Sequence, residues 1–124
     1  MNKAALGRFF ETQYGQKQEL GSIDCVKFVT NAVLIGWERD YRAILQYDDR
    51  RSAVKRLREL GGLKAACCHA MGDMHPISEL EPGDVVWFDE PATIGLLMPG
   101  YVAVKLGSVI HRFQIEPQMK GWKT

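Results

Sequence analysis

The stretch Leu80-Glu81-Pro82-Gly83-Asp84-Val85-Val86-Trp87-Phe88 divides the chain in two. Proline, glycine and aspartate in a row read as a turn: proline presets one backbone angle, glycine accepts a positive one, and a carboxylate can close the turn from its own side chain. The run Val85 to Asp89 that follows is β-branched and aromatic, which suits a strand. Everything before the turn has helical spacing. Everything after it is built of short apolar runs.

Working toward the start, Asn2 is placed to cap a first helix carrying Ala5, Leu6, Phe9 and Phe10, with Gly15 ending it. Gly15 to Ser22 reads as a polar loop. A second helix begins near Asp24; Cys25, Phe28, Val29, Ala32, Val33 and Ile35 follow the spacing of a buried stripe, and Gly36 is the expected stop. A third helix begins at Asp48 or Asp49. It places Ala53, Val54, Leu57 and Leu60 on one face and stops at Gly61 and Gly62. Beyond the dividing stretch, Tyr101 to Leu106 and Val109 to Phe113 are further strands, joined through Gly107 and Ser108 as a two-residue hairpin turn. Glu90 to Gly100 is expected to be a long loop of functional or partner-binding use. Helices first and an antiparallel meander second argue an α+β class. The chain reads as one domain over residues 1–124, with a helical part at about 1–62 and a sheet part at about 84–124.

Composition narrows the function classes. Of 124 residues, 46% are hydrophobic, which excludes a wholly disordered chain. Sixteen basic against fifteen acidic residues leave a net charge of +1, which argues against a bulk electrostatic nucleic-acid binder. No signal peptide is visible at the start, and the most apolar stretch, residues 94–104, is too short and broken to span a bilayer. Three cysteines do not make a disulfide framework, so a reducing compartment is expected.

Cys25 is the residue with most chemical promise. It falls in the first turn of the second helix, where N–H groups and the helix dipole favour a thiolate. A nucleophile also needs a base, for which His69, His75 and His111 are candidates. Against this stands the reading of Cys25 as the first residue of a buried stripe. Cys67, Cys68, His69 and His75 lack the spacing of a zinc site, and no metal or cofactor is expected. Arg51, Lys55 and Arg58 share a helix face that suits phosphate or an acidic partner but reads more simply as a solvated face. Asp84 is read as closing its turn rather than as catalytic, and Trp37, Trp87 and Trp122 as core or interface anchors.

Taken in order, Asp24-Cys25 with Phe28-Val29, LEPGD at 80–84 before VVWF, GYVAVKLG at 100–107 and VIHRF at 109–113 resemble the NlpC-type branch of the papain-like cysteine peptidases. That family carries D-C-x-x-F-V at a helix start, then L-x-P-G-D before an apolar strand. A strand G-H-V-G-I-Y-x-G follows, and then a hairpin ending in an apolar residue and histidine. The resemblance implies N-terminal helices packed on a small antiparallel sheet or half-barrel, with Cys25 as nucleophile. It sets Tyr101 in the place of the base histidine and His111 near the polar residue that orients the base. A neutral phenol is a poor proton acceptor at pH 7. Either His111 has become the base or the constellation has decayed, and decay is the expectation carried forward.

RLRELGG at 56–62 and GWKT at 121–124 are similar to a small phage-encoded subgroup found among tail genes. The resemblance implies a structural component of a bacteriophage tail tip or baseplate. Such a protein would be made in the host bacterial cytoplasm, carried in the virion and partnered by other tail proteins. A separate cell-wall targeting module is not expected in a chain of this size. The alternative is an active cysteine peptidase or amidase that cleaves peptidoglycan during genome entry. There Cys25 would attack, His111 would move the proton, and helix-start amides would hold the oxyanion. Neither a membrane nor nucleic acid is an expected partner, although a small nucleic-acid contact through Arg51, Lys55 and Arg58 is a third reading.

Overall fold

The computed structural model describes residues 1–13, 24–44 and 50–124. Among them are the helices α1 (Lys3–Gln13), α2 (Asp24–Trp37), α3 (Arg50–Leu60) and α4 (Leu63–Met71). The strands are β1 (His75–Pro76), β2 (Val85–Asp89), β3 (Ala92–Met98), β4 (Tyr101–Leu106), β5 (Val109–Phe113) and β6 (Lys120–Trp122). They form one six-stranded antiparallel sheet in the order β1-β6-β2-β3-β4-β5. The α+β class is therefore observed. Gly15, the loop to Ser22 and the Asp48 or Asp49 helix start lie outside the described residues.

Local chemistry accounts for most boundaries. Asn2 caps α1: its Oδ1 accepts the Ala5 N–H at 3.1 Å, and its own N–H donates to the Gly36 carbonyl at 2.9 Å, tying α1 to the end of α2. Gly36 does not stop α2, which runs to Trp37 and ends where Glu38 turns left-handed at φ 58°. At the end of α3, Gly62 N–H reaches the Leu57 carbonyl and Gly61 N–H the Arg58 carbonyl, the paired bonds of a Schellman stop. Val54, expected on the buried face of α3, is 38% exposed; Ala53 takes the core position instead. The helical part continues past residue 62, because α4 follows the Gly61-Gly62 stop directly.

The dividing stretch is a type II turn. Asp84 N–H donates to the Glu81 carbonyl at 2.9 Å, with Pro82 and Gly83 between them. Gly83 has φ 99°, and a Cβ there would lie 2.7 Å from the Trp37 ring, so both backbone and space require glycine. The Asp84 carboxylate is buried; Oδ2 accepts the Glu81 N–H at 2.8 Å and Oδ1 the Thr124 N–H at 2.9 Å. Asp84 thus closes its turn and also holds Thr124.

Glu90 to Gly100 is not a long loop. Asp89 pairs with Ala92 across a two-residue turn, and β3 fills most of the stretch as a central strand between β2 and β4. Gly95 sits within that strand because a Cβ would come 2.8 Å from both Val102 and Val104.

The sheet has an apolar cluster on each face. Ile94, Leu96, Met98, Ala103, Ile110 and Trp122 pack with Leu6 of α1, the stripe Val26, Phe28, Val29, Ala32 and Val33 of α2, and Ala66 and Cys67 of α4. Each large side chain fully buried there contributes about 1.5–3 kcal/mol. On the opposite face Val86, Leu97, Val102 and Val104 are covered by Leu80, Ile77, Ile115 and Met119. Trp122 is wholly buried, its ring edge-on to Trp87 at 6.1 Å, so both are core anchors.

Candidate functional site

Cys25 is the second residue of α2, in the first turn as its sequence context requires. Its side chain has 0% exposure. A hydroxyl on β3 meets its sulfur: Thr93 Oγ1 donates to Cys25 Sγ at 2.8 Å, and Thr93 is itself only 3% exposed. Thr93 was missed in the sequence because it falls in the stretch read as loop. The signal that could have found it is the run Thr93-Ile94-Gly95-Leu96, a β-rich segment directly after the strand that follows Pro-Gly-Asp.

The other candidates are elsewhere. His111 pairs with Val104 across the β4–β5 ladder, is exposed, and has its ring 6.3 Å from that of Phe113. No hydrogen bond joins it to Cys25. Tyr101 begins β4, packs against the helix-side cluster and carries the Arg112 guanidinium 4.7 Å above its ring. His75 Nδ1 lies 3.9 Å from Glu79, and His69 lines a separate cavity of about 300 Å³ with Tyr41, Ile44 and Ala66. Cys25, Tyr101 and His111 are therefore not gathered into one constellation. A thiol without exposed surface offers no approach to a substrate carbonyl in this conformation.

Cys67 and Cys68 are less incidental than their sequence suggests. Cys67 is wholly buried, and its thiol is pushed up to about 12, first by burial and then by the neighbouring sulfurs of Cys25 and Cys68. Trp122 Nε1 donates to Cys68 Sγ at 3.4 Å. The three sulfurs thus belong to one neighbourhood where α2 and α4 meet the sheet, and none of the three is in a disulfide. Among the described residues, no three His, Cys, Asp or Glu side chains are grouped so as to hold a metal ion.

Two open surface grooves carry polar and apolar groups together. Arg51, Val54, Lys55 and Arg58 line one of about 630 Å³ on α3. The other, about 670 Å³, has Trp87, Phe88, Phe113 and Met119 among its walls, with Lys64 5.9 Å from the Trp87 ring. No described helix is long and apolar enough to cross a membrane.

An α+β domain with a buried thiol–hydroxyl pair at the junction of its second helix and a central strand is thus what the fold defines. The chain belongs to the family described as Domain of unknown function (DUF6950), whose model matches residues 2–124. Neither a curated protein nor a solved structure matches it.

Proposed function

We propose that this protein is a structural component of a bacteriophage tail tip or baseplate, built on an NlpC-type papain-like domain that has lost its catalytic base. The observation that carries the loss of activity is the Thr93–Cys25 bond. In the family it resembles, the strand after the P-G-D strand bears the base histidine in H-V-G-I. Here β3 follows that strand, and Thr93-Ile94-Gly95-Leu96 runs in step with the motif. On this alignment Thr93 takes the histidine's place, where the sequence motif alone sets Tyr101. A threonine hydroxyl donates to a thiol but does not take its proton at neutral pH, so it supplies no general base. The tail assignment rests on the resemblance of RLRELGG and GWKT to the phage subgroup.

Purified protein incubated with peptidoglycan and its stem peptides is expected to release no new amines or fragments. Hydrolysis that disappears in Cys25→Ala would overturn the inactive reading in favour of the peptidase. Mass spectrometry and antibody labelling of particles of the encoding phage are expected to find the chain at the tail tip. Its absence from particles would overturn the tail reading.

A further inference from the structure

Of the sheet's two edges, β1 has only two residues, whereas β5 presents five. A long open edge invites another strand unless it is guarded. β5 is poorly guarded. Among the described residues, the large hydrophobic side chains left exposed are Met1, Val54, Val109 at 43% and Phe113 at 37%, so two of them flank this one short strand. Arg112, the charge on the strand, is drawn inward over the Tyr101 ring of β4, away from the free edge.

The hairpin also determines which backbone groups face outward. Leu106 pairs with Val109 across the two-residue turn Gly107-Ser108, and in such a hairpin the flanking pair is hydrogen-bonded. Val109, His111 and Phe113 therefore spend their N–H and C=O on β4. Those of Ile110 and Arg112 point outward, and among the described residues neither bonds to a backbone group outside the ladder.

We propose that β5 is a self-association edge: two copies pair their β5 strands antiparallel about a two-fold axis at His111, joining two sheets into one. This register sets Ile110 opposite the partner's Arg112, so the outward donors and acceptors meet in hydrogen-bonded pairs. It also sets Val109 opposite the partner's Phe113 at both ends, covering the exposed apolar groups with each other. The neighbouring registers do neither job as well. An axis at Ile110 puts Val109 against the partner's His111 and leaves Phe113 beside a turn. An axis at Arg112 sets two arginines directly opposite, which is destabilising. A single five-residue strand is a small interface, so the dimer is concentration-dependent.

Sedimentation equilibrium over a wide concentration range is expected to show monomer and dimer. Val109→Lys changes an exposed side chain and Phe113→Lys one whose ring packs on Phe88 at 5.5 Å; both are expected to keep the far-UV spectrum of the fold and to remove the dimer. His111→Cys reads the register, because residues facing each other at a non-hydrogen-bonded antiparallel site have Cα atoms about 4.5 Å apart, within disulfide reach. Mild oxidation is expected to give a covalent dimer linked through position 111, whereas Arg112→Cys gives none. A wild type that stays monomeric, as it would if this edge took an unrelated strand, overturns the proposal. So does a dimer untouched by either lysine, or one cross-linked by Arg112→Cys and not by His111→Cys. None of these outcomes bears on whether Cys25 is catalytic.

Discussion

A double-mutant cycle on Thr93 and Cys25 tests the contact on which the inactive reading rests. Thr93→Val keeps the shape and removes the hydroxyl; Cys25→Ala removes the sulfur. Both groups are nearly sealed from water, at 3% and 0% exposure, so neither finds a solvent partner when the other is lost. A net intramolecular hydrogen bond is worth about 0.5–1.5 kcal/mol, and sulfur is a weak acceptor despite the 2.8 Å separation. Cys25→Ala alone also loses packing, at about 1 kcal/mol by analogy with other small truncations. The single changes therefore mix several effects, but their coupling isolates the bond. We expect a coupling of about 1 kcal/mol, or about 4 °C in Tm for a domain of this size. The assay is urea unfolding at pH 7 under reducing conditions, with all four proteins required to share one m-value. A coupling within the additivity error of about 0.3–0.5 kcal/mol would refute the reasoning. Thr93 would then no longer support the inactive reading proposed above.

Three further outcomes follow from the same packing. Asp84→Ala strands the Glu81 and Thr124 N–H groups that its carboxylate now accepts; we expect a loss of about 2–4 kcal/mol by urea titration and faster protease trimming near Thr124. Gly83→Ala combines a left-handed backbone with a Cβ 2.7 Å from Trp37, and should cost about 2–5 kcal/mol; a change under about 0.5 kcal/mol in thermal melting would dismiss this account of the turn. Cys67 sets a pH dependence. Its thiol titrates near 9 when unfolded and near 12 when folded, so between those values the native state holds the extra proton and stability falls as pH rises. The contribution is fully present below pH 9. Relative to Cys67→Ala, the wild type should lose up to about 1.4 kcal/mol per pH unit in that window; parallel pH–stability curves would contradict it.

The helices and strands most legible in the sequence are those whose spacing matches their burial. The stripe Cys25, Phe28, Val29, Ala32 and Val33 is buried as its helical period requires. β2, β4 and β5 begin and end where β-branched runs do. β3 was hidden because Pro91, Gly95 and Pro99 are local breakers, and only the crowding of Gly95 by Val102 and Val104 explains a glycine in a central strand. α4 was hidden for a different reason: LKAACCHAM is short and rich in small residues, so no apolar stripe stands out. The site was legible by half. A cysteine in the first turn of a helix can be read from its neighbours in the chain. Its partner lies 68 residues away on a strand whose sequence reads as loop, and a threonine in a β-rich run carries no mark of a special role.

The sulfurs also give a cysteine at this position a structural use that needs no catalysis. Thr93 to Cys25 joins the start of α2 to the start of β3, and Trp122 to Cys68 joins α4 to β6. Near both of those sulfurs lies Cys67, buried, with its thiol held protonated by burial. Each bond is weak, but each is directional where the surrounding contacts are apolar and tolerant of sliding. Replacing a buried donor–acceptor pair one member at a time strands the other, so such pairs resist change even when no chemistry depends on them. A buried thiol can thus be kept as a joint between helix and sheet. If the domain serves an assembly as proposed, it offers a rigid block, and the surfaces open to partners are the β5 edge, the α3 groove and the aromatic groove around Trp87 and Phe113.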